Sequence, residues 1–171
     1  KVIARKIADE INASEGVFRL GLSTGSSPVF VYKELVELYN EGKVSFKNVE
    51  VYSIDEYYPA PADSFSRNRR LYQDFAAKVD INPDNVHVPK LSEVHESTFV
   101  TEFCASYDAK ARGLDFLVMG TGENGQIGFN EAGASEQSRT RTVLLPYDSR
   151  KRQARNFAGN IAKTPNSAIA M

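Results

Sequence analysis

Two adjacent carboxylates, Asp55 and Glu56, stand where the apolar run Val49-Glu-Val-Tyr-Ser-Ile54 ends. A carboxylate at the end of a strand can serve as a base in proton transfer. A loop acid closing an Asx-turn fits the same residues. Ser23-Thr-Gly-Ser-Ser-Pro28 joins a short strand to a helix start. Free backbone N–H groups and the helix dipole favour an anion there, and the hydroxyls of Thr24, Ser26 and Ser27 add donors beside Gly25. A plain serine N-cap and turn is the alternative. The loop is not a nucleotide-binding Walker loop, because the Gly-Lys-Ser/Thr ending is missing.

A third stretch, Met119-Gly-Thr-Gly-Glu-Asn-Gly-Gln-Ile-Gly-Phe-Asn-Glu131, follows the apolar run Phe116-Leu-Val. Gly120, Gly122 and Gly125 let the backbone turn sharply and approach a ligand, although a tight strand-to-helix turn needs no ligand. Arg139-Thr-Arg141 and Arg150-Lys-Arg152 with Arg155 form a basic cluster, of which one or two residues could clamp a phosphate. His87 and His95 lie off these loops, and no second ligand stands at a useful spacing, so no metal site is expected. Cys104, among Phe99, Phe103 and Tyr107, reads as core rather than nucleophile.

Such residues need a scaffold that gathers them. Ile3, Ile7, Ala8 and Ile11 fall on one face of a helix over 2–13. Arg19–Leu22 reads as a strand, and Val31, Leu35, Leu38 and Tyr39 line a helix that Pro28 opens. The next strand, 49–54, ends at Asp55-Glu56-Tyr57, and a loop with Pro59 and Pro61 runs to Ser66. A helix over 67–79 is expected to bury Leu71, Tyr72, Phe75 and Val79. Val86–Val88 is a short strand, 96–111 a helix, 116–119 and 142–145 strands, and 150–158 a basic helix. The last strand begins near Ser167. Strands alternating with amphipathic helices indicate an α/β, Rossmann-like fold with a mainly parallel sheet and helices on both faces. Right-handed crossovers then bring the loops 23–28, 55–58 and 120–131 to one edge of the sheet.

The 171 residues form one domain with ordinary apolar and charged fractions, 42% and 25%. A net charge of -1 gives no basic excess, so neither nucleic acid nor a membrane surface is an expected partner. No apolar run approaches the roughly 20 residues that span a bilayer. One cysteine without an internal partner suits a reducing cytoplasm. The chain opens on a helical pattern and stops on Ala168-Ile-Ala-Met171, so truncation at both ends is expected.

Leu20-Gly-Leu-Ser-Thr-Gly-Ser-Ser-Pro28, Ile54-Asp-Glu-Tyr57, Gly120-x-Gly-x-x-Gly-x-Ile-Gly-Phe-Asn-Glu131 and Ser138-Arg-Thr-Arg141 together resemble the glucosamine-6-phosphate deaminase/isomerase family. The resemblance implies a cytoplasmic enzyme acting on a phosphorylated amino sugar, with homo-oligomeric assembly and neither metal nor organic cofactor. It makes Thr24, Gly25, Ser26 and Ser27 a phosphate cradle and Arg155 a phosphate-gripping arginine. It makes Asp55 the base that moves a proton between C2 and C1, and Glu131 the acid supporting a ring-opening histidine. The sequence departs from the pattern where it matters for that histidine: Asn124-Gly125-Gln126 replaces Asp-Gly-His. Amides cannot shuttle protons near neutral pH, so weakened or altered turnover is expected. Pro59–Phe65 also replaces the family's lid entry, and the C-terminal part with its phosphate-binding lysine is not present. A non-catalytic sugar-phosphate binding module and a 6-phosphogluconolactonase-like hydrolase are the alternatives.

Overall fold

A computed structural model of the chain describes residues 1–26, 28–62 and 65–171. The elements run α1 (Val2–Ala13), β1 (Phe18–Leu22), α2 (Val29–Asn40), β2 (Val49–Ser53), β3 (Asp55–Tyr58) and α3 (Arg67–Asp74). There follow β4 (Val86–His87), α4 (Ser97–Lys110), β5 (Phe116–Val118), β6 (Arg141–Leu144), α5 (Tyr147–Gln153) and β7 (Ser167–Ala170). The first sheet is wholly parallel, in the order β4-β2-β1-β5, with Leu20 level with Val51 on one side and Phe116 on the other.

Successive strand residues face opposite sides, and the two sides are covered differently. Leu20 and Leu22 of β1 and Val49 and Val51 of β2 pack with Ile7, Leu35, Leu38, Phe46, Leu71 and Phe75, which places α1, α2 and α3 on one face. Tyr52 of β2 packs with Tyr107 of α4 and with Ala111 just beyond it on the other. Gly21 points to that second face, where a Cβ would sit 2.4 Å from the Leu117 side chain.

Asp55 to Tyr58, expected as a loop, forms β3 instead. It leaves the parallel sheet at Ile54 and pairs antiparallel with β7, which also pairs with β6. Tyr57, Phe129, Leu145, Phe157, Ala168 and Ala170 fill one side of this second sheet. Ile169 packs on the other side with Val100 and Cys104 of α4, so Cys104 is core as expected. The short hop from β2 to β3 turns one extended run through two sheets, and Asp55 sits at the junction.

Other expectations need correction. The 67–79 helix stops at Asp74, and Phe75 reaches the core through a 3-10 turn at Ala76–Lys78, leaving Tyr72 on the surface. Ile3 is half exposed, the buried stripe of α1 being Ala4, Ile7 and Ala8. The 150–158 helix begins earlier, at Tyr147, and gives way to a 3-10 turn at Ala154–Phe157. None of the described helices is long and apolar enough to cross a membrane.

Candidate active site

Parallel strands share a C-terminal edge, and the segments that leave it meet around one cavity of about 590 Å³. Its wall includes Thr24, Gly25 and Ser26 after β1, Asp55 after β2, Gly120, Gly122 and Gln126 after β5, and Arg155 from the 3-10 turn after α5. Ser27 lies outside the described residues.

Asp55 is fully buried and has a donor on each oxygen. The Thr24 hydroxyl donates to Oδ1 at 2.9 Å, and Arg67 Nη1 donates to Oδ2 at 2.9 Å. The Thr24 hydroxyl is thus turned onto the carboxylate, whereas the sequence placed it among an anion's donors; the residue still lines the cavity. Arg67 lies with its guanidinium carbon 3.9 Å from the Phe129 ring centroid and 5.5 Å from that of Tyr57. Burial works against its charge, but Asp55 and then Tyr57 more than offset this and hold its pKa above the ordinary value. Burial also pushes the Tyr57 hydroxyl up, with Arg67 pulling back.

Glu56, the next residue, faces the opposite way and is equally buried. Its Oε1 accepts from the backbone N–H groups of Tyr57 and Arg67, at 2.8 and 3.1 Å. Its Oε2 accepts from the Ser66 hydroxyl at 2.6 Å and from Asn68 N at 2.8 Å. A carboxylate on the first N–H groups of α3 satisfies donors the helix leaves open and complements its dipole. Glu56 is therefore structural. It fixes the helix that carries Arg67, Arg69 and Arg70 into the cavity wall.

The glycine-rich stretch is held by Gly122 N to Gln126 O at 2.7 Å and Ile127 N to Asn130 O at 3.1 Å. Gly128 has φ +59, and a Cβ there would meet Asp55 Oδ2 at 2.7 Å, so this backbone lies directly against the carboxylate. Beyond it Gln126 Nε2 donates to Gly128 O at 3.0 Å, and its Oε1 accepts from Arg152 at 3.0 Å. Arg152 also donates to Ser149 Oγ at 2.6 Å. The Ser149 hydroxyl donates to Glu131 Oε1, and Asn124 Nδ2 donates to Glu131 Oε2 at 2.8 Å. Asn124, Glu131, Ser149, Arg152 and Gln126 thus form one chain of hydrogen bonds, with a neutral amide at each end. Gln126 lines the cavity; Asn124 and Glu131 stand behind it.

Thr24, Asp55, Gln126 and Arg155 are brought together, while Arg139, Arg141 and Arg150 are not. Arg141 donates to Asn130 Oδ1, and Arg150 to the carbonyls of Ile161 and Thr164. The sequence reading passed over Arg67, Arg69, Arg70 and Ser23. Ser23 is buried on the cavity wall, and its hydroxyl has no partner among the described residues. Among the described lining residues, Arg67, Arg69, Arg70 and Arg155 face only Asp55 and Asp74, an excess of two positive charges. That balance suits a dianion. Among the described residues no group of three His, Cys, Asp or Glu could hold a metal ion.

Residues 1–156 match the family model described as glucosamine-6-phosphate isomerases/6-phosphogluconolactonase. The chain is 38% identical over 176 residues to a glucosamine-6-phosphate deaminase of Caenorhabditis elegans, spanning 98% of this chain and 64% of that one. It is 36% identical over 173 residues to a glucosamine-6-phosphate isomerase of Candida albicans, spanning 99% of this chain and 68% of that one. It therefore covers about two thirds of the length of these relatives. Among solved structures, a monomeric glucosamine-6-phosphate deaminase superposes with a TM-score of 0.88 at 29% identity, over 99% of this chain and 70% of that one. A 6-phosphogluconolactonase of Thermotoga maritima shares the fold, with a TM-score of 0.69 at 17% identity over 99% of this chain and 69% of that one.

Proposed function

Because the chain belongs to the family of glucosamine-6-phosphate isomerases and 6-phosphogluconolactonases, we propose that the whole protein acts on a hexosamine 6-phosphate, isomerising aldose to ketose with release of ammonia. The observation that carries this is the cavity itself, in which a buried carboxylate and an excess of two positive charges line one hollow large enough for a sugar phosphate. The phosphate lies against the backbone of Gly25 and Ser26 at the start of α2 and is gripped by Arg155. Asp55 removes the proton from C2 of the open-chain sugar and returns it to C1.

Ring opening is the weak step. In Gln126 and Asn124 the place for a proton-transferring pair is taken by amides, each already engaged in hydrogen bonds. Loss of a general acid–base group costs about 10²–10⁴ in rate. The same network supports a second reading, a sugar-phosphate binding module without turnover.

Ammonia release from glucosamine 6-phosphate by the full-length protein separates the two. Slow, saturable release supports the enzyme. Saturable binding with no release supports the module. Binding shows as a rise in melting temperature at saturating sugar phosphate, and no rise with any hexose phosphate removes both.

A further inference from the structure

The proton transfer assigned to Asp55 creates a charge that must be held. When the C2–H bond breaks, its proton goes to the Asp55 carboxylate and its electron pair forms the C1–C2 double bond. The π pair of the C1 carbonyl then moves onto its oxygen as an oxyanion. That oxygen is two bonds from the carbon held against Asp55, so its donor must stand beside the same carboxylate.

Most polar groups nearby are engaged. The Thr24 hydroxyl donates to Asp55. Gln126 is tied through Nε2 to Gly128 O and through Oε1 to Arg152. Arg67 is different: Nη1 is bound to Asp55 Oδ2, and the side chain lines the cavity. Phe129 covers the face of the guanidinium, and its five edge N–H groups outnumber the partners it has in Asp55 and Tyr57. The backbone of Arg67 is anchored separately, through its N–H on Glu56. The side chain is thus held at the reacting end by contacts that do not depend on a ligand.

We infer that Arg67 is a catalytic electrophile, whose guanidinium edge binds the oxyanion formed at C1 as Asp55 takes the C2 proton. This rests on the hexosamine 6-phosphate reading. Protonation of that oxygen by solvent and return of the Asp55 proton to C1 leave an imine at C2. Water converts the imine to the ketone and ammonia. The competing role for Arg67 is structural, a counter-charge that merely keeps Asp55 in place.

Two open-chain probes distinguish these roles without requiring ring opening. One is a phosphorylated five-carbon aldonohydroxamate, which carries the planar shape and negative charge of the C1 enolate. The other is 2-amino-2-deoxyglucitol 6-phosphate, which has a neutral alcohol at C1. Their dissociation constants are measured by calorimetry on full-length natural protein and on Arg67→Met, Arg67→Gln and Arg67→Lys. Arg67→Gln keeps hydrogen-bond donors without charge and serves if Arg67→Met does not fold.

The expected result is a loss of roughly 10–10²-fold in hydroxamate affinity for Arg67→Met and Arg67→Gln, with the glucitol changed less than about threefold. Arg67→Lys falls between, since a point charge replaces a planar fork. Equal losses for both probes, or none, overturn the inference. Should natural protein bind neither probe, both the inference and the reading beneath it fail. Should it bind both without releasing ammonia from glucosamine 6-phosphate, only the turnover reading fails, and the ratio of the two affinities still decides the role of Arg67.

Discussion

The cavity has two ends built on different chemistry. At one end Asp55 and Arg67 are buried, oppositely charged and 2.9 Å apart, with Thr24 on the free oxygen. At the other, Gln126 on the cavity wall and Asn124 behind it are amides, linked through Glu131, Ser149 and Arg152. The first end can accept and return a proton. The second presents an amide, Gln126, to the cavity, and an amide cannot shuttle a proton near neutral pH. Under the proposed function, the contrast would separate two halves of one reaction: the carbon–hydrogen step would have its base, and ring opening would be left largely to water.

Asp55→Asn is the substitution with the largest expected effect. Removing the base should lower ammonia release by about 10²–10⁴. It also leaves Arg67 buried without its counter-charge, a change that typically costs about 3–5 kcal/mol. Release should therefore be measured well below the variant's own melting temperature. A folded Asp55→Asn protein with natural turnover would move the chemistry away from this end altogether.

Asn124→Asp with Gln126→His tests the other end. If ring opening limits the natural protein, restoring a titratable pair should raise turnover by roughly 10–10². The histidine must still fit where Arg152 meets Gln126, and an adjacent cation disfavours its protonation. Adding Arg152→Ala should therefore raise the gain further. No gain in either background would mean that ring opening is not the slow step, and the contrast between the two ends would lose its kinetic content.

Glu56→Gln sharpens the comparison by keeping the neighbouring carboxylate and removing its twin. An amide nitrogen would oppose the N–H groups or the Ser66 hydroxyl that Glu56 now accepts, at a cost of about 2–3 kcal/mol. For a protein of this size or longer that lowers the melting temperature by roughly 4–12 °C. Turnover per folded molecule should change far less than in Asp55→Asn.

The division between Asp55 and Glu56 also marks how far the sequence could be read. The three loops and their shared edge were legible because strands and helices alternate with clear apolar periods. The path after Ile54 was not. Asp-Glu-Tyr-Tyr has the composition of a loop, and only its pairing with Ser167–Ala170, more than a hundred residues on, makes it a strand. That extended conformation sends Asp55 into the cavity and Glu56 under α3. Arg67, Arg69 and Arg70 read as an ordinary polar helix start, since the carboxylate capping that helix lies eleven residues upstream of Arg67, beyond any local capping pattern. Tyr72 was misplaced because α3 buries Leu71, and the next residue round the helix turns away from that face.

The smallest expected effect belongs to Ser23. Its backbone is fixed, the N–H donating to Val118 O at 3.2 Å and the carbonyl accepting from Tyr32. Its hydroxyl, buried on the cavity wall at the charged end, has no partner among the described residues. A buried hydroxyl in that position calls for a partner, supplied either by the sugar or by water. Ser23→Ala removes one uncharged hydrogen bond, so it should weaken hexosamine 6-phosphate binding about 2–10-fold. Inorganic phosphate affinity should stay unchanged if the bond is to the sugar. An equal loss for inorganic phosphate would instead extend the anion cradle to Ser23, beyond Gly25 and Ser26. No loss for either would leave water as the partner and restrict the charged end to Asp55, Arg67 and the arginines of the cavity wall.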